Sequence, residues 1–446
     1  MANDVIRQIK AREILDSKAR PMVEVDIITA DGVLGRGASP YGTSTGSYEA
    51  FVLRDGGKRY GGLGALCAVR NVLEVIAPAL QDHSVMDQKA IDVLMIELDG
   101  TVDKRRLGAN AIYSVSIAVA RAAAATGRVP LYRHLGGPDA CMLPVPMFNM
   151  INGGSFPAAH MEIQEFLLIP ATANRYSEAL QMGVEVYAAL GELIKRRYGK
   201  DRLYSGASAG YGSPVSDPAE VLELLLTATE AAGFGGQFRL GLDCAASEFY
   251  DSTTCQYSLC GKLLQREGLI SLLDALARTY NLFLIEDPLD EDDFEGFAEI
   301  TRLIPALIVG DDLLVTNIER LKHAVELKAA NALLLKPNQV GTISEALDAA
   351  RYALAHGYKV LGSGRAGGSI DDPITDIAVA LGTPFVKFGA PRSGERMAKH
   401  NSMLRFEEEL GASARFPGPE TFTPQSPTGD EAYMGRQDPV QRDGHT

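Results

Sequence analysis

What this 446-residue chain lacks narrows its reading early. It has no apolar run of about 18 residues, the length a membrane-spanning helix needs, and no cationic-then-apolar leader follows Met1. The expectation is a soluble, cytoplasmic protein. Excess positive charge is also missing: 43 Lys and Arg stand against 57 Asp and Glu, a net charge of -14. That argues against a nucleic-acid or anionic-membrane partner, and any anionic ligand must be drawn in by a local cation or metal. Cysteine is sparse. Cys67, Cys141, Cys244, Cys255 and Cys260 form no CxxC pair and are odd in number, which reads as reduced thiols rather than a disulfide framework.

What is present divides the chain. "VEVDIITADGVLGRGA" (Val23 to Ala38) sets two alternating runs around Asp31 and Gly32, a hairpin signal. The hydroxyl- and glycine-rich "SPYGTSTGSYEA" after it is too long for a tight turn and is a functional-loop candidate. "GANAIYSVSIAVARAAAATG" reads as a helix with small residues on its packing face, stopping at Gly127. Residues 1–137 are expected to form an α+β domain, with a linker over Gly137 to Leu143. From 143 to 412 short apolar runs alternate with helical segments, the pattern of a parallel sheet covered on both faces. Seven or eight such units favour a closed (β/α)8 barrel over an open sheet. Residues 413–446 are rich in Pro, Gly and polar groups and are expected to be a mostly disordered tail.

The barrel runs end on residues that should not be buried. Asp243 ends "LGLD", Glu286 "FLIE", Asp311 "LIVGD", Lys336 "LLLK" and Lys387 "PFVK", while Arg365 follows "KVLGSG". From Glu286 onward, with Arg365 included, the spacings are 25, 25, 29 and 22 residues. One βα unit is about that long, so these groups meet at one rim of the barrel, where this architecture carries active sites. Three carboxylates converging there need a cation, and hard oxygen ligands with room for water suit Mg²⁺. A lysine beside a divalent ion is held towards its neutral form, so Lys336 is a candidate general base.

At these residues the chain resembles the enolase family. "AREILDS", "GANAI", "PVPMFNMINGGS", "QEF", "GLDCAASEF", "IEDP", "VGDDLLVTN", "LLLKPNQVGT" and "RFEEELG" occur in the family's order. The resemblance implies an N-terminal capping domain, a barrel whose first strands depart from simple βα alternation, and commonly a homodimer. It implies Asp243, Glu286 and Asp311 as Mg²⁺ ligands and Lys336 as the base, the superfamily's pairing of a lysine with Mg²⁺ that stabilises an ene-diolate. By the same resemblance Arg365 and Lys387 are substrate-binding cations, and Ser44 is a lid serine. Gln164 and Glu165 form a polar pair below the substrate, Glu165 helping to orient water and protons. The implied ligand is a small, anionic, phosphorus-containing carboxylate.

The departures from the family are concentrated. The glycine-rich "DEGG" loop, whose glutamate is the family's general acid, corresponds here to "SGASAGYGSPVSDPAE", with Asp217 and Glu220 as the nearest carboxylates. The "GGSH" histidine is Phe156. "SHRSGE" becomes Ser363-Gly364-Arg365-Ala366-Gly367-Gly368, and "SRGNP" becomes "SKARP". Ligands and base are kept while acid and pocket histidines are lost, which is altered chemistry rather than decay. The expectation is a roomier pocket at Phe156 and Gly364 and a repurposed enzyme, similar to carboxyphosphonoenolpyruvate synthase of phosphonate and phosphinate antibiotic pathways. The alternatives are ordinary 2-phosphoglycerate dehydration with a substitute acid, and a non-enzymatic scaffold.

Overall fold

The computed structural model describes residues 4–43, 45–154, 161–206 and 208–423. Ser44, Phe156 and the stretch from 424 to 446 lie outside the described residues.

Three antiparallel strands open the chain: β1 (Ile6–Leu15), β2 (Pro21–Thr29) and β3 (Leu34–Ala38), in the order β1-β2-β3. The Asp31-Gly32 turn joins β2 to β3, with Gly32 at φ +85°, a left-handed value that only glycine takes at no steric cost. Helix α1 (Ala109–Thr126) lies across this sheet with nearly every residue buried. Its approach depends on two glycines of β3. A Cβ at Gly35 would fall 2.1 Å from the Ala118 carbonyl oxygen, and one at Gly37 would fall 2.3 Å from that of Ser114.

Eight strands then close into a barrel: β4 (Val145–Asn152), β5 (Glu165–Pro170), β6 (Phe238–Asp243), β7 (Leu284–Glu286), β8 (Leu307–Gly310), β9 (Ala332–Leu335), β10 (Lys359–Ser363) and β11 (Phe385–Lys387). They neighbour one another in chain order, and β11 pairs with β4 to complete the ring. All neighbours are parallel except that β5 runs antiparallel to both β4 and β6. The barrel is therefore mixed, and "EIQEFLLIP" is its reversed strand rather than a parallel one. Three helices used below are α2 (Tyr176–Tyr198), α3 (Pro218–Ala231) and α4 (Gly394–Leu410).

Residues 413–423, expected to belong to a disordered tail, are packed on the barrel. Arg415 exchanges backbone hydrogen bonds with Leu143 and Cys141 (2.8 and 2.9 Å). Phe422 packs tilted against Phe283 and edge-on against Phe385 at ring-centre distances of 5.2 and 5.5 Å inside the barrel's apolar layer. Composition pointed to disorder, but two phenylalanines in a polar stretch are enough to anchor it, because each buries some 150–250 Å². Among the described residues no helix is long and apolar enough to cross a membrane, and all five cysteines are free thiols.

Candidate active site

Strand register does the assembling. Glu286 pairs with Asp243 between β7 and β6, Glu165 lies opposite Asp243 between β5 and β6, and Lys387 pairs with Ser363 between β11 and β10. Parallel strands that each end on a charge therefore deliver the charges to one level. Glu165, Asp243, Asp311, Lys336 and Lys387 line a small polar cavity of about 50 Å³ together with Gln164, Ser208, Ser363, Gly364, Arg365, Ala366 and Arg396, and Glu286 lies behind Lys387.

At its centre the Lys387 ammonium donates to Asp243 (2.7 Å) and to both oxygens of Glu286 (2.8 and 2.7 Å), and it pairs with Glu165 at 3.1 Å. Lys336 pairs with Asp311. Burial pushes the Asp243 carboxyl up to about 6 despite Lys387, with the charge of Glu165 adding to the rise. Burial and the Asp243 charge push Glu286 well above the carboxylate range. Asp311 moves the other way: burial would raise it, but the charge and hydrogen bond of Lys336 with the charges of Lys387 and Arg365 together lower it. Four carboxylates face two ammonium groups, so the fully ionised cluster carries two surplus negative charges. One divalent cation supplies that charge, and three hard oxygen donors converging on one place suit Mg²⁺. Asp243, Glu286 and Asp311 fit the ion on these grounds.

The Lys336 ammonium is the exception to the sequence reading. Burial alone would lower its pKa, but the neighbouring Asp311 raises it overall. A general base needs the opposite shift, so Lys336 is poised to accept a proton only once another cation takes its place at Asp311.

Arg365 is not the lone cation in open space that its glycine-rich setting suggests. It is 4 % exposed, and its guanidinium makes a two-pronged pair with Glu49 (3.0 and 3.1 Å). The room near Gly364 is filled too: a Cβ there would lie 2.9 Å from Cε of Lys399. A Cβ at Gly367 would strike the Arg20 guanidinium at 1.9 Å. Lys399 and Arg20 fill the space beside these glycines, and the expected enlargement beside Gly364 is absent.

The loop expected to hold the acid contributes Ser208 to the cavity. Its hydroxyl hydrogen-bonds Glu165, and with Lys387 it holds that carboxyl below its ordinary range against the effect of burial. Asp217 is occupied as the N-cap of α3, accepting from the Ala219 amide at 2.8 Å, and Glu220 sits in that helix's first turn. Neither lines the cavity. Gln164 lines it and donates to Glu248 (3.2 Å).

Sequence reasoning missed four participants. Asp287 accepts the backbone N–H groups of Asp311 (3.0 Å) and Asp312 (2.7 Å). Asp287, Asp311 and Asp312 also offer oxygens within 4.8 Å of one another, a spacing that could hold a metal. Both oxygens of Asp287 are already committed to amides, however, so it braces the Asp311 turn. Gln339, Asn338 and Glu49 are the others. The first two stand in the quoted "LLLKPNQVGT" and the third in the hydroxyl-rich loop, but no spacing rule links that loop to the barrel.

Comparison with known proteins agrees with this geometry. Residues 6–135 match the family model described as "Enolase, N-terminal domain", and residues 140–425 match "Enolase, C-terminal TIM barrel domain". The curated protein "Enolase" of Methanocaldococcus jannaschii is 48 % identical over 408 residues, 92 % of this chain and 96 % of that one. "Enolase" of Methanopyrus kandleri is 49 % identical over 424 residues, covering 94 % and 99 %. That of Methanococcus aeolicus is 49 % identical over 407 residues, covering 91 % and 96 %.

Proposed function

The chain belongs to the enolase family, and we propose that it is a Mg²⁺-dependent lyase that converts 2-phosphoglycerate to phosphoenolpyruvate. The observation that carries this reading is the barrel-rim cluster of Asp243, Glu286, Asp311, Lys336 and Lys387. It is joined to relatives named enolase at 48–49 % identity over more than nine-tenths of the chain.

Bound Mg²⁺ supplies positive charge that stabilises the enolised carboxylate. Lys336 takes the α-proton at Nζ, and Arg365 holds the phosphorus group. Lys387 neutralises Asp243, Glu286 and Glu165 until a cation and a ligand arrive. Elimination also requires a proton for the departing hydroxyl. Glu165, kept ionised by Lys387 and Ser208, orients a water there rather than donating directly.

That proton supports a second reading. Among the described residues the 205–220 loop brings no carboxylate into the cavity, and loss of a general acid costs on the order of 10²–10⁴ in rate. An enzyme of the carboxyphosphonoenolpyruvate synthase type, a transferase-like relative in phosphonate or phosphinate natural-product synthesis, would work on a phosphoenolpyruvate-like substrate without expelling hydroxide. The filled space beside Gly364 counts against it, and the relatives' names favour the first.

Proton and phosphorus NMR with 2-phosphoglycerate and Mg²⁺ in D₂O decides. Phosphoenolpyruvate forming at tens of turnovers per second or so supports dehydration. Exchange of the α-proton without elimination supports the second reading. Neither, with Mg²⁺ bound, overturns both in favour of a non-enzymatic scaffold.

A further inference from the structure

Lys399 stands directly behind the cavity wall at Gly364, outside the cluster of charges at the rim. It projects from α4 and is 2 % exposed. Gly364 lines the cavity, and Lys399 does not. A Cβ at Gly364 would lie 2.9 Å from Cε of Lys399 and 3.3 Å from its Cδ. Farther along the same loop, a Cβ at Gly368 would lie 3.7 Å from its Nζ. The lysine stem therefore occupies the volume that side chains at 364 and 368 would enter, and Arg365 lies between those two glycines in the chain.

The stem is held at its far end. The Lys399 ammonium donates to the Glu395 carbonyl at 3.1 Å, one turn earlier in α4, and pairs with Asp372 at 3.5 Å. Asp372 is fixed in turn: its Oδ1 accepts the Ile374 amide at 3.1 Å, and its side chain is 9 % exposed. A lysine stem packs as apolar filling while its head keeps polar company. Here the head cannot swing away without stranding a buried carboxylate, which is strongly unfavourable. The volume behind Gly364 is filled by a pinned side chain, not by one that a ligand could push aside.

We propose that Lys399 is a specificity-determining residue: by filling the space behind Gly364 it restricts the phosphorus group held at Arg365 to an unsubstituted phosphate. A phosphorus centre carrying one further substituent needs room that the lysine stem already takes. The cavity is only about 50 Å³, so the rigidity of this wall decides what enters. Glycine at 364 then has a positive reason, since it is what lets the lysine approach. This inference rests on the anion assignment of Arg365 in the proposed function, and it narrows the substrate class of that same site.

Turnover of 2-phosphoglycerate with Mg²⁺, set against turnover of its phosphate methyl ester, tests it through the ratio of the two kcat/KM values. That ratio does not depend on how much of a variant is folded. The unaltered protein should prefer the unsubstituted phosphate by at least about 10-fold, the lower end of what a pocket gains by refusing one carbon. In Lys399→Ala, made with Asp372→Asn so that no carboxylate is left unpaired, the preference should fall by at least about 5-fold. Lys399→Met with Asp372→Asn keeps the bulk and removes the charge, and it should retain the preference. A merely structural role would lower both rates together and leave the ratio in place. A ratio unmoved in the alanine variant, or moved as far in the methionine variant, overturns the inference and leaves the proposed function standing. An unaltered protein that turns over neither compound overturns the proposed function and the inference with it.

Discussion

At the scale of single residues, charge placement separates what each lysine does. Lys336 is paired with Asp311, so Lys336→Ala removes both the proposed base and a competitor for the proposed metal. The expected outcome is a loss of α-proton exchange by at least about 10², with Mg²⁺ affinity kept or improved, read by NMR and calorimetry. A drop in both would mean that the ammonium shapes the site rather than working as the base. The six strand-end charges were legible in the sequence because each breaks an apolar run at the βα period. The Arg365–Glu49 pair was not, because it joins residues 316 positions apart and neither local pattern announces the other.

A histidine outside the site gives the clearest pH effect. His400 is 1 % exposed, bonded to the Tyr176 hydroxyl at 2.7 Å and flanked by Phe148 and Phe388. Burial pushes its pKa down to about 3. The unfolded chain binds this proton near pH 6.5 and the folded one does not. The neutral ring's contribution is therefore complete above pH 6.5 and is lost as pH falls from there towards 3. The loss amounts to about 2 kcal/mol between pH 7 and pH 5. Raised carboxyls such as Asp376, at about 6, pull the other way, so the comparison must be with His400→Phe. The stability difference between the two proteins, from urea unfolding, should shift by that amount over this range. An unchanged difference would refute the assignment.

Among the elements, the contact between α1 and β3 is the least forgiving. Ridges of alanine and serine on the helix meet a strand written Leu-Gly-Arg-Gly-Ala, and the sequence showed the small-residue face without showing what it faced. Gly37→Ala would place a methyl 2.3 Å from a backbone oxygen that cannot rotate away. The expected cost is on the order of 1–3 kcal/mol or more. Gly394, at the start of α4, has nothing within 4 Å of its missing Cβ. There Gly394→Ala should be neutral or stabilising by up to about 1 kcal/mol. Urea midpoints that fall equally for both would mean that close approach is not what keeps Gly37. The reversed strand β5 marks a limit of periodicity: a fully buried run looks the same in either direction, so composition alone cannot set its polarity.

For the whole molecule, the two domains share more than ion pairs. Tyr113 and Ile117 of α1, with Tyr132, belong to the same apolar cluster as the barrel residues Phe148, Val360 and Ile377. Polar links run alongside: Lys104 with Glu345 at 2.9 Å, Arg121 with Asp371 at 3.1 Å, and Glu49 with Arg365. The linker's prolines and glycines suggest a domain boundary in the sequence, but the apolar core runs across it. Removing one domain would expose apolar surface of the other at roughly 25 cal/mol per Å², so each stabilises the other. Calorimetric heating should therefore give a single transition rather than two. Saturating Mg²⁺, bound only by the folded barrel, should move that whole transition upward, by the equivalent of about 2.7 kcal/mol at 100 times its dissociation constant. Two resolved transitions, with Mg²⁺ moving only one, would show that the shared cluster does not bind the domains into one cooperative unit.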